Sequence, residues 1–419
     1  MSSHPVLNCA EAKAWEAGLL PDEAAEWRAM QEAGAALARA IEEDFKEVGG
    51  LPANARLLVL AGKGHNGGDA LLAARALLAG RAEARAVVSP CFGAGELRPL
   101  AGRSLDWLKR DAPGRVVIVP AEQALLPSEG YDLCLDGIFG FQFRAPMDPA
   151  IAAVLATVNE HAGIRLRAAV DLPSGVGVTN ADILFRADFT YATGLVKSPV
   201  LSPRVTSSVG RLRYLDLGFF NEGEPAGITE RVLTPRTLTP LSVIRPSQTD
   251  KRTFGHLFVV GGSRSYPGAV VLAVRAALRS GVGLVTAFVP ERLAPEYAAR
   301  HPEAMWVGCP ETANGSLAGD SIALIEERRS RATAFLVGPG LGADPQTLAW
   351  IGQLASEASV PLVFDADALR AEVMAPSRGK PFIGTPHAGE FQRIAPSLFA
   401  EGKFTAPHGV LVLKGPLTR

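Results

Sequence analysis

Asn66, Asp69, Asp136 and Asp171 are the residues whose types and placing offer chemistry first. Asn66 and Asp69 belong to Gly62-Lys63-Gly64-His65-Asn66-Gly67-Gly68-Asp69, a glycine-rich loop between the apolar run 57–61 and an apolar helical stretch that opens at Ala70. A strand, glycine loop and helix in that order present free backbone N–H groups and a helix N-terminus to an anionic ligand. The glycines are spaced 2, 3 and 1 apart, so the loop is neither a Walker A, which needs Lys-Ser/Thr after its last glycine, nor GxGxxG. An amide and a carboxylate stand where a phosphate loop carries its cation, which implies a ligand larger than a phosphate. The same residues also suit an ordinary helix-capping turn. Asp136 closes a short apolar run before Gly137-Ile138-Phe139-Gly140, and Asp171 closes another before Leu172-Pro173-Ser174-Gly175. Asp69, Asp136 and Asp171, each at or just beyond the C-terminal end of a predicted strand, are expected to converge on one crevice of a parallel sheet, where ligands of such sheets bind.

The elements that must position them follow from hydrophobic patterning. Met30, Ala33, Gly34, Leu37, Ile41 and Phe45 recur every three to four residues, so 23–46 is expected to form an amphipathic helix after Pro21-Asp22. Short β-rich runs at 57–61, 84–88, 116–119, 133–136, 167–171, 189–193 and 211–217 alternate with helical patterns. That alternation predicts an α/β domain over 1–225 with a doubly wound sheet and helices on both faces. Pro235, Pro240 and Pro246 interrupt a segment without sustained period, and 226–250 is read as a linker. A second α/β alternation fills 251–419, with strands expected at 256–260, 283–288, 333–337, 360–365 and 409–413 and a helix from Pro267 through Leu278. The two halves look alike only as alternations of strand and helix.

Composition narrows the partners. Acidic and basic residues nearly cancel, 43 against 42, so no global field recruits nucleic acid or an anionic membrane. Cys9, Cys91, Cys134 and Cys309 lie far apart with no CxxC spacing, which suits a reduced compartment and neither a zinc site nor a disulfide framework. The opening segment lacks the order of a signal peptide, and no apolar run reaches the length of about 18 residues that a membrane span needs. A cytoplasmic protein acting on a small molecule is expected, as a homo-oligomer.

At this point the chain resembles a known family. The loop is similar to that of the NAD(P)HX epimerases, the YjeF family, whose usual form is GNGNNGGDG; Lys63, His65 and Ala70 depart from it. Val170-Asp171-Leu172-Pro173-Ser174-Gly175 looks like the family's VDIPSG. Beyond the linker, Lys251-Arg252-Thr253-Phe254-Gly255-His256 with the following Gly261-Gly262-Ser263, then Gly338-Pro339-Gly340-Leu341-Gly342, Asp365-Ala366-Asp367, Thr385-Pro386-His387-Ala388-Gly389-Glu390 and Lys414-Gly415-Pro416-Leu417-Thr418 occur in the order found in ADP- or ATP-dependent NAD(P)H-hydrate dehydratases of the ribokinase-like group. The resemblance spans nearly the whole chain. It implies a Rossmann-like doubly wound epimerase domain followed by a ribokinase-like dehydratase domain, which together repair NADHX and NADPHX.

The resemblance also implies roles. Inverting ring carbon 6 of the hydrated nicotinamide calls for a carboxylate that exchanges a proton, and Asp171 is the first choice. His65, Asn66, Gly67, Gly68 and Asp69, with Gly140, Phe141, Gln142, Phe143, Arg144, Ala145 and Pro146, would line the dinucleotide. Arg144 would pair with a phosphate or sit in an exposed turn, and Lys197 would contact the ligand or lie on the surface. The family binds potassium at the positions of Asn66, Asp136 and Ser174; by residue type alone, loop hydrogen bonding is the favoured account of these three. In the second domain Ala269, Gly340 and His387 match contacts to NAD(P)HX, and Lys414, Gly415, Pro416, Leu417 and Thr418 match the segment for ADP or ATP with Mg2+. The dehydratases continue past their Leu-Lys-Gly strand into a GxGD turn that holds phosphate and supplies a base. Residues 1–419 hold no such turn, so the expectation for these residues is epimerisation without nucleotide-dependent dehydration, whether from truncation or as a non-catalytic remnant. A ribokinase-like small-molecule kinase and a non-enzymatic nucleotide-binding scaffold are the rival readings.

Overall fold

A computed structural model describes residues 2–377, 379–401 and 403–419. The chain divides into two compact units, 1–243 and 244–419.

The first unit is built on seven parallel strands. In chain order the unit's strands are β1 (Ser3–Leu7), β2 (Arg56–Ala61), β3 (Arg85–Pro90), β4 (Val116–Ile118), β5 (Leu133–Gly137), β6 (Arg167–Val170), β7 (Phe189–Thr193), β8 (Val196–Lys197), β9 (Arg211–Leu215) and β10 (Arg231–Leu233). The main sheet runs β4-β3-β2-β5-β6-β7-β9. Its central strands are buried on both faces because Leu57 through Ala61 and Leu133 through Leu135 are apolar on every position, as a sheet covered by helices requires. Helices α1 (Cys9–Leu19), α2 (Glu23–Phe45), α3 (His65–Ala79) and α4 (Pro99–Asp111) open the chain. Leu37, Ile41 and Phe45 of α2, Leu71 and Leu77 of α3 and Leu105 and Leu108 of α4 close one face over Leu57, Val59 and Leu135. Ile151, Leu155 and Val158 of the Pro149–Glu160 helix pack with Leu58, Leu60 and Cys134 on the other.

Strand order reverses between β2 and β5, since β2 leads outward to β3 and β4 while β5 leads to β6, β7 and β9. That switch point splays the connections apart and leaves a crevice beyond the C-terminal ends of both strands.

A second, three-stranded sheet departs from the sequence reading. Ser3, His4 and Pro5 pair antiparallel with Leu233, Val232 and Arg231, and Val6 and Leu7 pair parallel with Val196 and Lys197. Residues 231–233, read from their prolines as linker, therefore form a strand of the first unit, and the first unit reaches Val243. Arg231–Leu233 escapes pattern analysis because it is short and exposed, and its partner lies at the other end of the unit.

The second unit contributes β11 (His256–Val260), β12 (Leu284–Pro290), β13 (Met305–Cys309), β14 (Ala334–Val337), β15 (Leu362–Phe364), β16 (Phe382–Gly384), β17 (Phe399–Ala400), β18 (Lys403–Phe404) and β19 (Gly409–Leu411). Seven of them form a parallel sheet ordered β13-β12-β11-β14-β15-β16-β19, which reverses between β11 and β14. The two units thus share a winding, although the sequence displayed only a common alternation. Pro267–Arg279 forms the expected helix, with Pro in its first turn. Strands β13 and β16 went unread: β13 is half-exposed along most of its length, and β16 has only three residues. No described helix is long and apolar enough to cross a membrane.

Candidate active site

A cavity of about 570 Å³ opens at the switch point of the first unit. Strand β2 delivers Lys63, Gly64, His65, Asn66 and Asp69 to it, and β5 delivers Ile138 through Arg144 with Pro146. Asp171, Thr193 and Lys197 arrive from β6, β7 and β8, and Glu16 from α1. Of the residues expected to line a dinucleotide, His65, Asn66, Asp69, Gly140, Phe141, Gln142, Phe143, Arg144, Pro146 and Lys197 meet here together with Asp171.

Gly67 and Gly68 stand apart from these lining residues. They are buried in the first turn of α3 and do not line the cavity. A Cβ on Gly67 would stand 2.3 Å from the Gly62 carbonyl oxygen, and one on Gly68 would stand 2.2 Å from Met30 Cε and 3.2 Å from Ser104 Oγ. These glycines let α3 approach its own loop, α2 and α4. Gly68→Val is therefore expected to lower stability by about 1–3 kcal/mol through overpacking, read as a lower urea midpoint, with NADPH affinity of the folded protein unchanged. Lost affinity at unchanged stability would return Gly68 to the ligand. Ala145 is likewise not among the cavity residues.

Asp171 lies in the cleft with an unusual backbone and a charged partner. Its φ of +65° places it in the left-handed region, which non-glycine residues enter seldom and most often near functional sites. There the carboxylate turns back from the end of β6 and accepts a 2.7 Å hydrogen bond from Lys197 Nζ. Lys197 is not the surface lysine its residue type suggested: only 2% of its side chain is exposed, and its ammonium also lies 3.5 Å from Glu16 Oε1. Burial raises the Asp171 carboxyl above its ordinary range against the pull of Lys197. Burial opposes the charge of Lys197 as well, but Asp171 and Glu16 together outweigh it and raise its pKa, so the ammonium stays protonated. Burial also raises Glu16 and holds Asp69 well above the usual carboxylate range.

A second polar corner lies beside the cleft. Ser174 donates to Asp136 twice, from Oγ to Oδ1 at 2.6 Å and from its N–H to Oδ2 at 2.7 Å, and the Ile138 N–H donates to Oδ1 at 3.2 Å. The Phe139 N–H donates to Ser174 Oγ at 3.0 Å, and Asn66 Nδ2 donates to the Phe139 carbonyl at 2.8 Å. The loops after β2, β5 and β6 are thus tied through Asn66, Asp136 and Ser174. Burial pushes Asp136 up to about 6, its hydrogen bonds pulling the other way.

Glu16, Lys63, Phe92, Arg98, Met147, Asp148 and Thr193 line the cleft without having been singled out. Glu16 lies on an N-terminal helix that carries no motif, so no local signal pointed to it. Lys63 was visible only as a departure from the family loop, and it is held by Glu96 at 2.8 Å.

In the second unit the ordered motifs follow the C-terminal ends of adjacent strands. The Gly262 N–H donates to the Pro339 carbonyl at 2.8 Å, joining the loops after β11 and β14 at the reversal. Gly340, at φ +66°, packs so closely on the helix at Pro267 that a Cβ would lie 3.0 Å from Ala269 Cβ and 2.4 Å from the Tyr266 carbonyl oxygen. Asp365 Oδ1 accepts from Thr385 Oγ1 at 2.7 Å and from Lys414 Nζ at 2.9 Å. His387 Nδ1 accepts from the N–H groups of Gly389 and Glu390 and so caps the Ala388–Leu398 helix, while most of its side chain stays exposed. Lys414 bridges to His387, and Gly415, Pro416, Leu417 and Thr418 form a turn closed by Leu413 and Arg419.

Known proteins match both units. The YjeF-related protein N-terminus matches residues 27–198, and the NAD(P)H-hydrate dehydratase family matches 257–406. A bifunctional NAD(P)H-hydrate repair enzyme of Gloeobacter violaceus is 36% identical over 413 residues, covering 93% of this chain and 77% of the relative. Its counterpart from Moorella thermoacetica is 32% identical, covering 87% of this chain and 70% of the relative. A solved ADP/ATP-dependent NAD(P)H-hydrate dehydratase of Bacillus subtilis is 23% identical over 44% of this chain and 66% of that one, with a TM-score of 0.32. With an epimerase-type unit and a dehydratase-type unit in one polypeptide, and this identity along nearly all of its length, the chain belongs to the bifunctional NAD(P)H-hydrate repair enzymes.

Proposed function

We propose that the cleft of the first unit epimerises NAD(P)HX, with Asp171 as the group that exchanges a proton with the oxygen carried by ring carbon 6. The observation that carries this reading is the buried Asp171–Lys197 ion pair at the floor of a cavity walled by the loops after β2 and β5. A carboxylate raised by burial yet held beside a cation can both accept a proton and release it. Lys197 fixes its orientation, and Phe139, Phe141 and Phe143 give the nicotinamide ring an apolar wall. The exposed Arg144 at the cavity is the cation offered to a ligand phosphate.

The corner formed by Asn66, Asp136 and Ser174 suits potassium, because every donor it offers is an oxygen. When bound, the ion would tie three loops and offset the ligand's charge. The corner carries a pH signature. Asp136 has an ordinary value of 3.8 and about 6 in the fold, so protonated Asp136 favours folding at low pH. That contribution fades as pH rises through about 6, and ionised Asp136 then costs about 3 kcal/mol of native stability. A cation on the carboxylate offsets the cost. Potassium should therefore raise the melting temperature more at pH 7.5 than at pH 5, and an equal effect at both would reject Asp136 as its ligand.

In the second unit, Ala269, Gly340 and His387 are proposed to contact NAD(P)HX and Lys414 to Thr418 an adenine nucleotide, with magnesium, on the C-terminal side of the sheet. The test is turnover of mixed NADHX epimers with and without ADP or ATP. Epimer interconversion is expected without nucleotide, and any recovery of reduced-nicotinamide absorbance should require it. A kinase would consume ATP without acting on NADHX, and a scaffold would bind the epimers unchanged; either outcome would replace the reading.

A further inference from the structure

Asp69, Asp171 and Glu16 all line the same cavity, and Lys197 is the ammonium they surround. Asp171 takes the 2.7 Å contact and Glu16 the 3.5 Å contact. Nothing is left for Asp69. It is buried, and its Oδ1 has no hydrogen-bond partner among the described residues. One ammonium compensates one buried carboxylate well and a second in part; a third charge of the same sign, desolvated and unpaired, is the arrangement proteins avoid by protonation.

We propose that Asp69 is the second proton-transfer group of the epimerase and donates to the C6 hydroxyl of NAD(P)HX as that hydroxyl leaves. The inference rests on the epimerase reading above and divides its chemistry between two residues. The ring nitrogen lone pair forms the N=C6 bond while the C6–O bond breaks. The Asp69 carboxyl proton goes to the departing oxygen, which leaves as water. A water then adds to C6 from the opposite face, the N=C6 pair returns to nitrogen, and the added water's proton goes to the Asp171 carboxylate. The substrate is inverted, one water has been lost and one gained, and one proton has moved from Asp69 to Asp171. The opposite epimer uses the same path backwards, or solvent resets the two carboxyls. Burial raises both carboxyls, but Asp171 holds the 2.7 Å hydrogen bond from the Lys197 ammonium while Asp69 Oδ1 has no partner among the described residues, so Asp69 is assigned as the acid and Asp171 as the base.

Asp69→Asn keeps shape and donor capacity and removes the transferable proton. It is expected to slow interconversion of the NADHX epimers roughly 10²-fold with NADPH affinity by calorimetry within about threefold of the parent. The infrared carbonyl band of a protonated carboxylic acid at pH 7 should be present in the parent and lost from the variant. Normal turnover by Asp69→Asn, a loss of affinity that parallels the loss of rate, or an infrared difference showing only carboxylate bands would each overturn the proposal. A parent protein that does not interconvert the epimers would instead overturn the epimerase reading itself.

Discussion

Asp171→Asn should lower NAD(P)HX epimerisation by roughly 10²- to 10⁴-fold, the range removed with a general acid or base, while the affinity for NADPH stays close to that of the parent. The substitution is chosen for the backbone as much as for the charge. Asp171 sits at φ +65°, where asparagine is tolerated far better than alanine or a branched residue. The amide oxygen can still accept from Lys197, so the turn that follows β6 survives and the loss falls on kcat. Parent-like turnover would remove Asp171 from the proton path.

The largest expected effect on stability comes from its partner. In Lys197→Met the Asp171 and Glu16 carboxylates lose their cation in a site where only 2% of the lysine side chain and 6% of that of Asp171 reach solvent. Removing one partner of a buried ion pair costs about 3–5 kcal/mol. The remaining carboxyls relieve part of that by staying protonated. Their folded-state pKa values, already raised, rise further without the ammonium, so the variant retains stability at low pH and loses it as pH climbs through those values. The urea midpoint of Lys197→Met should thus lie furthest below the parent's near pH 8 and approach it near pH 5. An equal midpoint at pH 8 would mean that the buried pair contributes nothing net.

The frame of this site was legible in the sequence because central parallel strands are written as short runs of apolar and β-favouring residues. The runs 57–61, 133–136 and 189–193 correspond to Arg56–Ala61, Leu133–Gly137 and Phe189–Thr193. Motif placing follows from the same fact: an acid after such a run stands at the end of a strand, and the switch point brings Asp69 and Asp171 to one cavity. What the sequence concealed is tertiary. Lys197 looks like a surface residue until Asp171 and Glu16, from segments 26 and 181 positions away, are folded onto it. Gly67 and Gly68 resemble ligand-facing glycines because the letters do not say which side of α3 meets α2. Short β1 and β10 are strands through pairings distant in sequence, β10 against β1 and β1 in turn against β8.

That pairing bears on how the enzyme comes into being on the ribosome. The first strand of the chain presents its early residues, Ser3 to Pro5, to Arg231–Leu233 and its later ones, Val6 and Leu7, to Val196 and Lys197. A nascent chain that has emerged only to residue 225 holds every acid of the cleft, but the strand that supports Lys197 still has one open edge. Closing it requires a contact spanning more than two hundred residues, and non-local pairings of this kind form late. Competence of the first unit is therefore tied to the emergence of residues 231–233, and a boundary drawn by motif at 225 would cut the unit before it has finished folding.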